Sequence, residues 1–210
     1  SIGNSVTSIG SKAFKYCTSL ETVSILDSVA SIGFQAFRGC TSLKNVSIPD
    51  SVTSIGQSAF HDCTSLETMS IPNSVTTIGD GAFQGCSSLK TVSIPDSVTS
   101  ISYRAFYYCS NLTTVSVGDS PFLDVGANAF HGSKKIVNMT FGTLNNITFK
   151  SGELGLLTFQ RVMLHKSLKA IIGPNPFPGY TCNDDHCGCI PGLGNALPDP
   201  SSDYYSCSAC

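Results

Sequence analysis

Five cysteines, Cys17, Cys40, Cys63, Cys86 and Cys109, stand 23 residues apart, and Phe14, Phe37, Phe60, Phe83 and Phe106 keep the same phase. A fixed period of that length constrains a chain more than any local propensity does, because every copy must adopt one supersecondary shape and the copies must stack. Aligned, the unit reads V-x-x-I-G-x-x-A-F-x-x-C-x-S/N-L-x-x-V-S-I-P-D-S, with Met69 replacing the second valine once and Val117 the second isoleucine once. A further copy, PFLDVGANAFHGSKKIVNMTF, carries one extra residue and places Ser133 at the cysteine position.

Within a unit, Leu43, Val46 and Ile48 mark a segment that ends in apolar/polar alternation, as in a short half-buried strand. The IPDS or IPNS that follows is a turn: proline fixes φ, and Asp, Asn and Ser bond back to the local backbone. V-x-x-I forms a second extended piece, and the spacing of A-F-x-x-C suits a single helical or 3₁₀ turn with Ala, Phe and Cys facing inward. One coil of this kind is too thin to bury its own apolar side, so its neighbours supply the missing burial and the ladder hydrogen bonds. Like residues recur because like positions stack, about 4.8 Å apart in the strand direction. The expected fold is a repeat solenoid, mainly β with short helical or 3₁₀ turns, of about six coils.

The unit resembles a leucine-rich repeat, L-x-x-L-x-L-x-x-N, with Ser28, Ser51 and their equivalents at or near the asparagine position. More narrowly it resembles the BspA type, whose marks are V-x-x-I-G-x-x-A-F-x-x-C and S-L-x-x-V-x-I-P, over residues 6–141. That resemblance implies a curved solenoid in a secreted or surface-exposed protein, often linked to adhesion, and implies no enzyme.

Charge excludes some partners. With 12 basic against 14 acidic residues there is no field to draw in nucleic acid or an anionic membrane. No apolar run approaches the roughly 20 residues that span a bilayer. The chain starts at Ser1 with neither a methionine nor a signal-like segment, and reads as a mature or truncated product. His61, His131, His165 and His186 are scattered, the first two at variable outward positions where a solvated imidazole is the default. The GDSP at 118–121 occupies a repeat turn without matching His and Asp partners. DGAFQG is repeat text rather than a phosphate loop, and Asp184 with Asp185 are too few for a calcium loop. No catalytic, cofactor-binding or metal-ligating residue is expected.

The repeat cysteines, Cys17, Cys40, Cys63, Cys86 and Cys109, are expected as a column of buried free thiols acting as small hydrophobes. Disulfides between coils would need a particular Cβ geometry. On the strands, Ser24, Ser47, Ser70, Ser93 and Ser116 form one column, and Thr22, Asn45, Thr68, Thr91 and Thr114 another. Glu21, Lys44, Glu67 and Lys90 alternate in sign, which favours stacking. These columns hold no Trp, Tyr or Arg and read as a solvated face. Sequons at Asn45, Asn111, Asn138 and Asn146 are acceptors if the chain passes through a eukaryotic secretory route.

Three regions are expected: a solenoid over 1–141, a C-terminal capping segment over 142–173, and a Pro/Cys-rich tail over 174–210. The capping segment shows a strand-like alternation at Ile147 and Phe149, then a helical stretch around Leu156 to Leu168 with apolar Leu156, Phe159, Val162 and Met163. In the tail, Pro174, Pro176 and Pro178 form a linker, and Cys182, Cys187, Cys189, Cys207 and Cys210 are disulfide candidates with one left over. Its cysteine-turn-cysteine style resembles small disulfide modules of extracellular receptors. Cys187, Cys189, Cys207 and Cys210 have a spacing that also admits zinc, although an extracellular repeat upstream favours disulfides.

SIGNSVTSIG begins midway through a coil, which makes Ser1, Ile2, Val6 and Ile9 an assembly edge. A bare edge invites pairing with another chain, and a head-to-tail contact that does not close builds a filament. The expectation is a non-enzymatic, secreted and glycosylated structural protein that assembles end to end with copies of itself into an extracellular fibre. The alternative is a cell-surface adhesin binding a host or matrix protein through its repeats. Neither expectation includes a cofactor, nucleic acid or a membrane span.

Overall fold

The computed structural model describes residues 5–136 and 138–142 in full and, beyond them, the backbone of the strands named here. Two sheets run along the stack. The first takes one short strand from each V-x-x-I segment: β1 (Ser8–Ile9), β3 (Ser31–Ile32), β5 (Ser54–Ile55), β7 (Thr77–Ile78), β9 (Ser100–Ile101) and β11 (Phe122–Val125). It continues through β13 (Asn146–Phe149) and β15 (Ala170–Ile172). The second takes the V-S-I segments: β2 (Thr22–Ser24), β4 (Asn45–Ser47), β6 (Thr68–Ser70), β8 (Thr91–Ile94), β10 (Thr114–Val117) and β12 (Asn138–Phe141), then β14 (Arg161–His165). To this point every pairing is parallel; β19 (Tyr204–Ser208) then joins β14 antiparallel and carries β18 (Leu197–Pro198). β16 (Tyr180–Asn183) and β17 (His186–Cys189) form a separate antiparallel pair.

Register places like on like. Thr68 lies beside Thr91, Met69 beside Val92 and Ser70 beside Ser93. Along β8 the hydroxyl residues Thr91 and Ser93 are exposed while Val92 and Ile94 are buried. Period-two patterning with β-branched residues thus puts one side of each strand into the core. Ser51, Ser74 and Ser97, at the asparagine-like position, turn their hydroxyls onto the carbonyls of Val29, Val52 and Val75 in the preceding coil. The extra residue of the last repeat copy is absorbed by a longer strand, β11, where Phe122 faces out and Leu123 and Val125 face in.

The third side of each coil differs from the expected helical turn. In the second coil Ala36, Arg38 and Cys40 donate their N–H groups locally to Gly33, Gln35 and Phe37, three residues back. The alternate groups, Gln35, Phe37 and Gly39, donate instead to Gln57, Ala59 and His61 of the next coil at 2.7–3.0 Å. A 3₁₀ turn would keep all these donors for itself. Sending every second one along the stack requires two left-handed residues per coil, and the twelve that supply them have φ between 53° and 79°. The side is therefore a run of overlapping turns and acts as a third ladder.

Inside this side the phenylalanines stack. Phe14, Phe37, Phe60, Phe83, Phe106 and Phe130 lie with centroids 5.1–5.5 Å apart and planes within 10°, a parallel stack within the range of aromatic pair contacts. Next to them Ala36, Cys40 and Leu43, and their counterparts in the following three coils, are fully buried.

Beyond residue 142 one expectation is corrected. Arg161–His165, inside the stretch expected to be helical, is a strand paired with Asn138–Phe141. The open edge of β12 offers a full row of unpaired backbone groups, and that long-range ladder prevails over a weak helical spacing of apolar residues. Residues 156–160 and 166–168 of the same stretch lie outside the described residues.

Candidate binding surface

Each turn segment has four variable positions, two on either side of the buried Ala-Phe pair, and most of them reach the surface. Because the core and the ladders take the other residues, these positions are where one coil differs from the next. In the fifth coil, SYRAFYYC at 102–109, all four carry aromatic or guanidinium groups: Tyr103, Arg104, Tyr107 and Tyr108.

They form one connected cluster. The Arg104 Cζ lies 4.8 Å from the Tyr103 ring centroid and 4.7 Å from that of Tyr107, within the range of cation–π attraction. Tyr107 meets Tyr108 edge-on at 4.5 Å and stacks on His131 of the next coil at 5.3 Å. Tyr108 also meets His131 edge-on at 6.1 Å. Desolvation first, and the neighbouring Tyr108 phenol second, push the Tyr107 hydroxyl above the ordinary tyrosine range. Tyr103 and Tyr108 remain 43% and 52% exposed.

A backbone device places Tyr108. At the second left-handed position of each coil, residues with side chains alternate with glycine: Tyr16, Gly39, Asp62, Gly85, Tyr108, Gly132. The side chain of each odd coil folds over the glycine of the next. A Cβ on Gly132 would sit 2.6 Å from the Tyr108 ring, and one on Gly39 2.4 Å from the Tyr16 ring. The motif therefore repeats over two coils in its surface, although its core repeats over one.

The first two coils hold a smaller group of the same kind, with Lys12 over the Phe34 ring at 5.7 Å and Lys15 over Tyr16 at 5.0 Å. Between the two groups the turn face is polar. His61 is half-buried, with Nδ1 2.9 Å from Asp62 Oδ2 but not aligned for a hydrogen bond. Burial lowers its pKa and Arg38 adds to this, while Asp62 opposes. Neither His61 nor His131 is the freely solvated imidazole expected at these positions.

The strand face offers less. Lys44–Glu21 at 3.1 Å and Lys90–Glu67 at 2.7 Å are exposed ion pairs joining adjacent coils, and Thr68 Oγ1 lies 3.3 Å from Asn45 Oδ1. A groove of about 330 Å³ follows the proline turns past Asp50, Asn73 and Asp96, but Asp96 Oδ1 already accepts the Asp119 N–H at 2.9 Å. Among the described residues, no three His, Cys, Asp or Glu side chains are grouped to hold a metal ion.

The thiols have a structural place. Cys40, Cys63, Cys86 and Cys109 are buried and free, and each Sγ lies 3.1–3.2 Å from the phenylalanine carbonyl of the preceding coil, Phe14, Phe37, Phe60 or Phe83. Ser133 keeps the same bond, to Phe106 at 2.9 Å, and also receives the Cys109 N–H at 3.1 Å. Cys17, expected in this buried column, is exposed, because among the described residues its coil has a neighbour on one side only. Of the expected assembly edge, Ser1 and Ile2 lie outside the described residues and Val6 is half-buried. Ile9 is buried, at 4% exposure, with its side chain in the core.

Of the sequon asparagines, Asn45 is exposed in β4, while Asn111 and Asn138 are half-exposed; the amide oxygen of Asn111 accepts from Lys135. Asn146 opens β13, known by its backbone alone. In the tail, Cys182 is in register with Cys187, Cys189 with Tyr180, and Cys207 with Val162; Cys210 lies outside the described residues.

Comparison with known proteins agrees with this architecture. The model of the BspA type leucine rich repeat region matches in six copies over residues 7–137. The chain belongs to the BspA-type leucine-rich repeat family. The T. pallidum leucine rich repeat protein shares 36% identity at a TM-score of 0.61, over 69% of this chain and 66% of its own. A leucine rich cell surface protein of Faecalibacterium prausnitzii A2-165 shares 28% at a TM-score of 0.50, over 81% of this chain and 59% of its own. The chain thus spans less than two thirds of the length of each of these relatives. No curated protein matches it.

The strand columns of this BspA-type repeat hold no Tyr or Arg and give no hint of the cluster, which lies on the turn side of the coil. Its signal was present: YRAFYY at 103–108 places four such residues at variable positions of one coil.

Proposed function

We propose that this chain is a binding module of a secreted or cell-surface adhesin, one that engages an extracellular protein through the turn face of its fifth and sixth coils rather than by catalysis. The observation that carries this reading is the Tyr103–Arg104–Tyr107–Tyr108–His131 cluster. Tyrosine and arginine dominate the residues that anchor protein interfaces, and a folded chain gains nothing for its core by exposing them. The similarity to a cell surface protein supports the location. The test is adhesion of beads coated with the full chain to cultured cell layers, compared with beads bearing Tyr103→Ala/Tyr108→Ala. Loss of adhesion is expected from a variant that still unfolds cooperatively, with its midpoint lowered only by the lost ring contacts; equal adhesion by the variant would remove the cluster from the function.

The end-to-end fibre rests on a different observation. The first described coil leaves Ala13 and Cys17 exposed where Ala36 and Cys40 are fully buried. A further coil of the same chain covers such a face as well as a second copy does, so the fibre is the weaker reading. Glycans on Asn45, Asn111, Asn138 and Asn146 belong with it. Sedimentation and electron microscopy of the natively secreted protein, with mass before and after deglycosylation, decide between them: fibres support assembly and dispersed particles oppose it.

A further inference from the structure

We infer that the surface of the fifth and sixth coils takes an acidic protein segment, one carboxylate seated on the Arg104 guanidinium and the flanking residues laid across Tyr103 and Tyr108. This rests on the binding role proposed above and specifies the chemistry of its partner.

The first argument is charge. Residues 102–111 and 126–135, the turn segments of these two coils, contain Arg104, Lys134 and Lys135 and no Asp or Glu, in a chain whose net charge is −2. The two turn segments before them, 56–65 and 79–88, carry Asp62 and Asp80 and no Lys or Arg. The turn segments of the first two coils, 10–19 and 33–42, are positive as well, through Lys12, Lys15 and Arg38; the face thus carries two positive patches with acidic coils between them, and the second coincides with the aromatic cluster, where it favours a partner of opposite sign.

The second is preorganisation. Arg104 is held over two tyrosine rings, and its Nε is buried without a hydrogen-bond partner among the described residues. A guanidinium fixed in this way is a planar fork that matches a carboxylate, with little side-chain entropy left to lose on binding. The third is the exposure of Tyr103 and Tyr108, rigid apolar bodies with a hydroxyl at the tip. A sugar ring needs an open aromatic face, whereas Tyr107 is engaged by Arg104 and His131 and one face of Tyr108 lies over Gly132. A glycan is accordingly the less favoured partner.

Fluorescence anisotropy with the full chain tests this. The probes are a labelled peptide alternating glutamate with leucine, the same peptide with glutamine for glutamate, and heparin. Binding of the glutamate peptide is expected, weakened about tenfold or more by glutamine replacement and by Arg104→Gln, as removal of a central interface anchor implies. Arg104→Lys keeps the charge and loses the fork, and is expected to recover only part of the affinity. Binding of heparin alone, or glutamate-peptide binding indifferent to Arg104→Gln, would overturn the inference. The binding role itself fails separately, in the bead assay with Tyr103→Ala/Tyr108→Ala.

Discussion

Gly132→Ala tests whether Tyr108 is seated by the glycine beneath it. Gly132 has φ 79°, where an alanine costs about 1–2 kcal/mol through contact between its Cβ and the carbonyl. The backbone tolerates a side chain at this position, since Tyr16, Asp62 and Tyr108 occupy it at φ 59°, 60° and 55°. The additional cost is local: the new Cβ would lie 2.6 Å from Tyr108 Cδ1 and 2.9 Å from Cε1, so the ring must move. Moving it disrupts the edge contacts with Tyr107 at 4.5 Å and His131 at 6.1 Å, each about 0.5–1.5 kcal/mol. A total of about 2–5 kcal/mol is expected for Gly132→Ala, falling to about 1–2 kcal/mol in a Tyr108→Ala background where no ring stands in the way. Urea denaturation of the four proteins of this cycle reads the difference as a coupling of about 1 kcal/mol or more. Gly39→Ala is the control: Tyr16, 60% exposed, can swing into solvent, and its coupling should be smaller. Additivity of Gly132→Ala and Tyr108→Ala would refute the reasoning.

Three further outcomes are expected. Burial raises the thiol pKa of Cys40 to about 11 and of Cys109 to about 12, and holds Cys63 and Cys86 high as well; N-ethylmaleimide near neutral pH should label Cys17 but spare these four until denaturant is added, as peptide mass mapping would show. His61 has a folded-state pKa below its ordinary 6.5, so the unfolded chain binds more protons and stability should fall as pH drops below 6.5; His61→Gln should flatten that slope between pH 7 and pH 5, and denaturation midpoints with parallel slopes would contradict the assignment. Ser133→Ala removes the hydroxyl shared by the buried Cys109 N–H and Phe106 carbonyl and leaves them only their mutual 3.4 Å bond, at about 1–3 kcal/mol in all, whereas Ser133→Cys, which restores the repeat, should change the thermal midpoint far less.

How much of this could be read in the sequence differs from element to element. The inward column of Phe37, Phe60, Phe83 and Phe106 was legible because in-register stacking demands the same residue at the same place, and repetition makes that demand visible. The turn geometry was misread because A-F-x-x-C is a three-residue spacing that a 3₁₀ turn and a run of overlapping turns share. Only the backbone hydrogen-bond directions separate them, and their sole trace in the text is the glycine at every second coil, Gly39, Gly85 and Gly132. Arg161–His165 was misread for another reason: its apolar spacing is local, while the β12 edge that makes it a strand is set by every coil before it.

The same physics separates scaffold from surface. A residue at Phe83 or Cys86 must fit between two identical neighbours, so a change there is felt in three coils at once. A residue at position 103, 104, 107 or 108 has its backbone donor or acceptor already committed to a ladder, and its side chain lies outside the core. Such positions can change chemistry without changing fold. In coils three and four they carry Gln57, His61, Asp62 and Asp80, whereas in coil five they carry three tyrosines and an arginine. Stacking does not require that concentration, since coil four forms the same ladder with Gly81, Gln84 and Gly85. What the fifth coil gains over the fourth is exposed aromatic area at Tyr103 and Tyr108 and a cation held over two rings, the properties on which the proposed binding role draws.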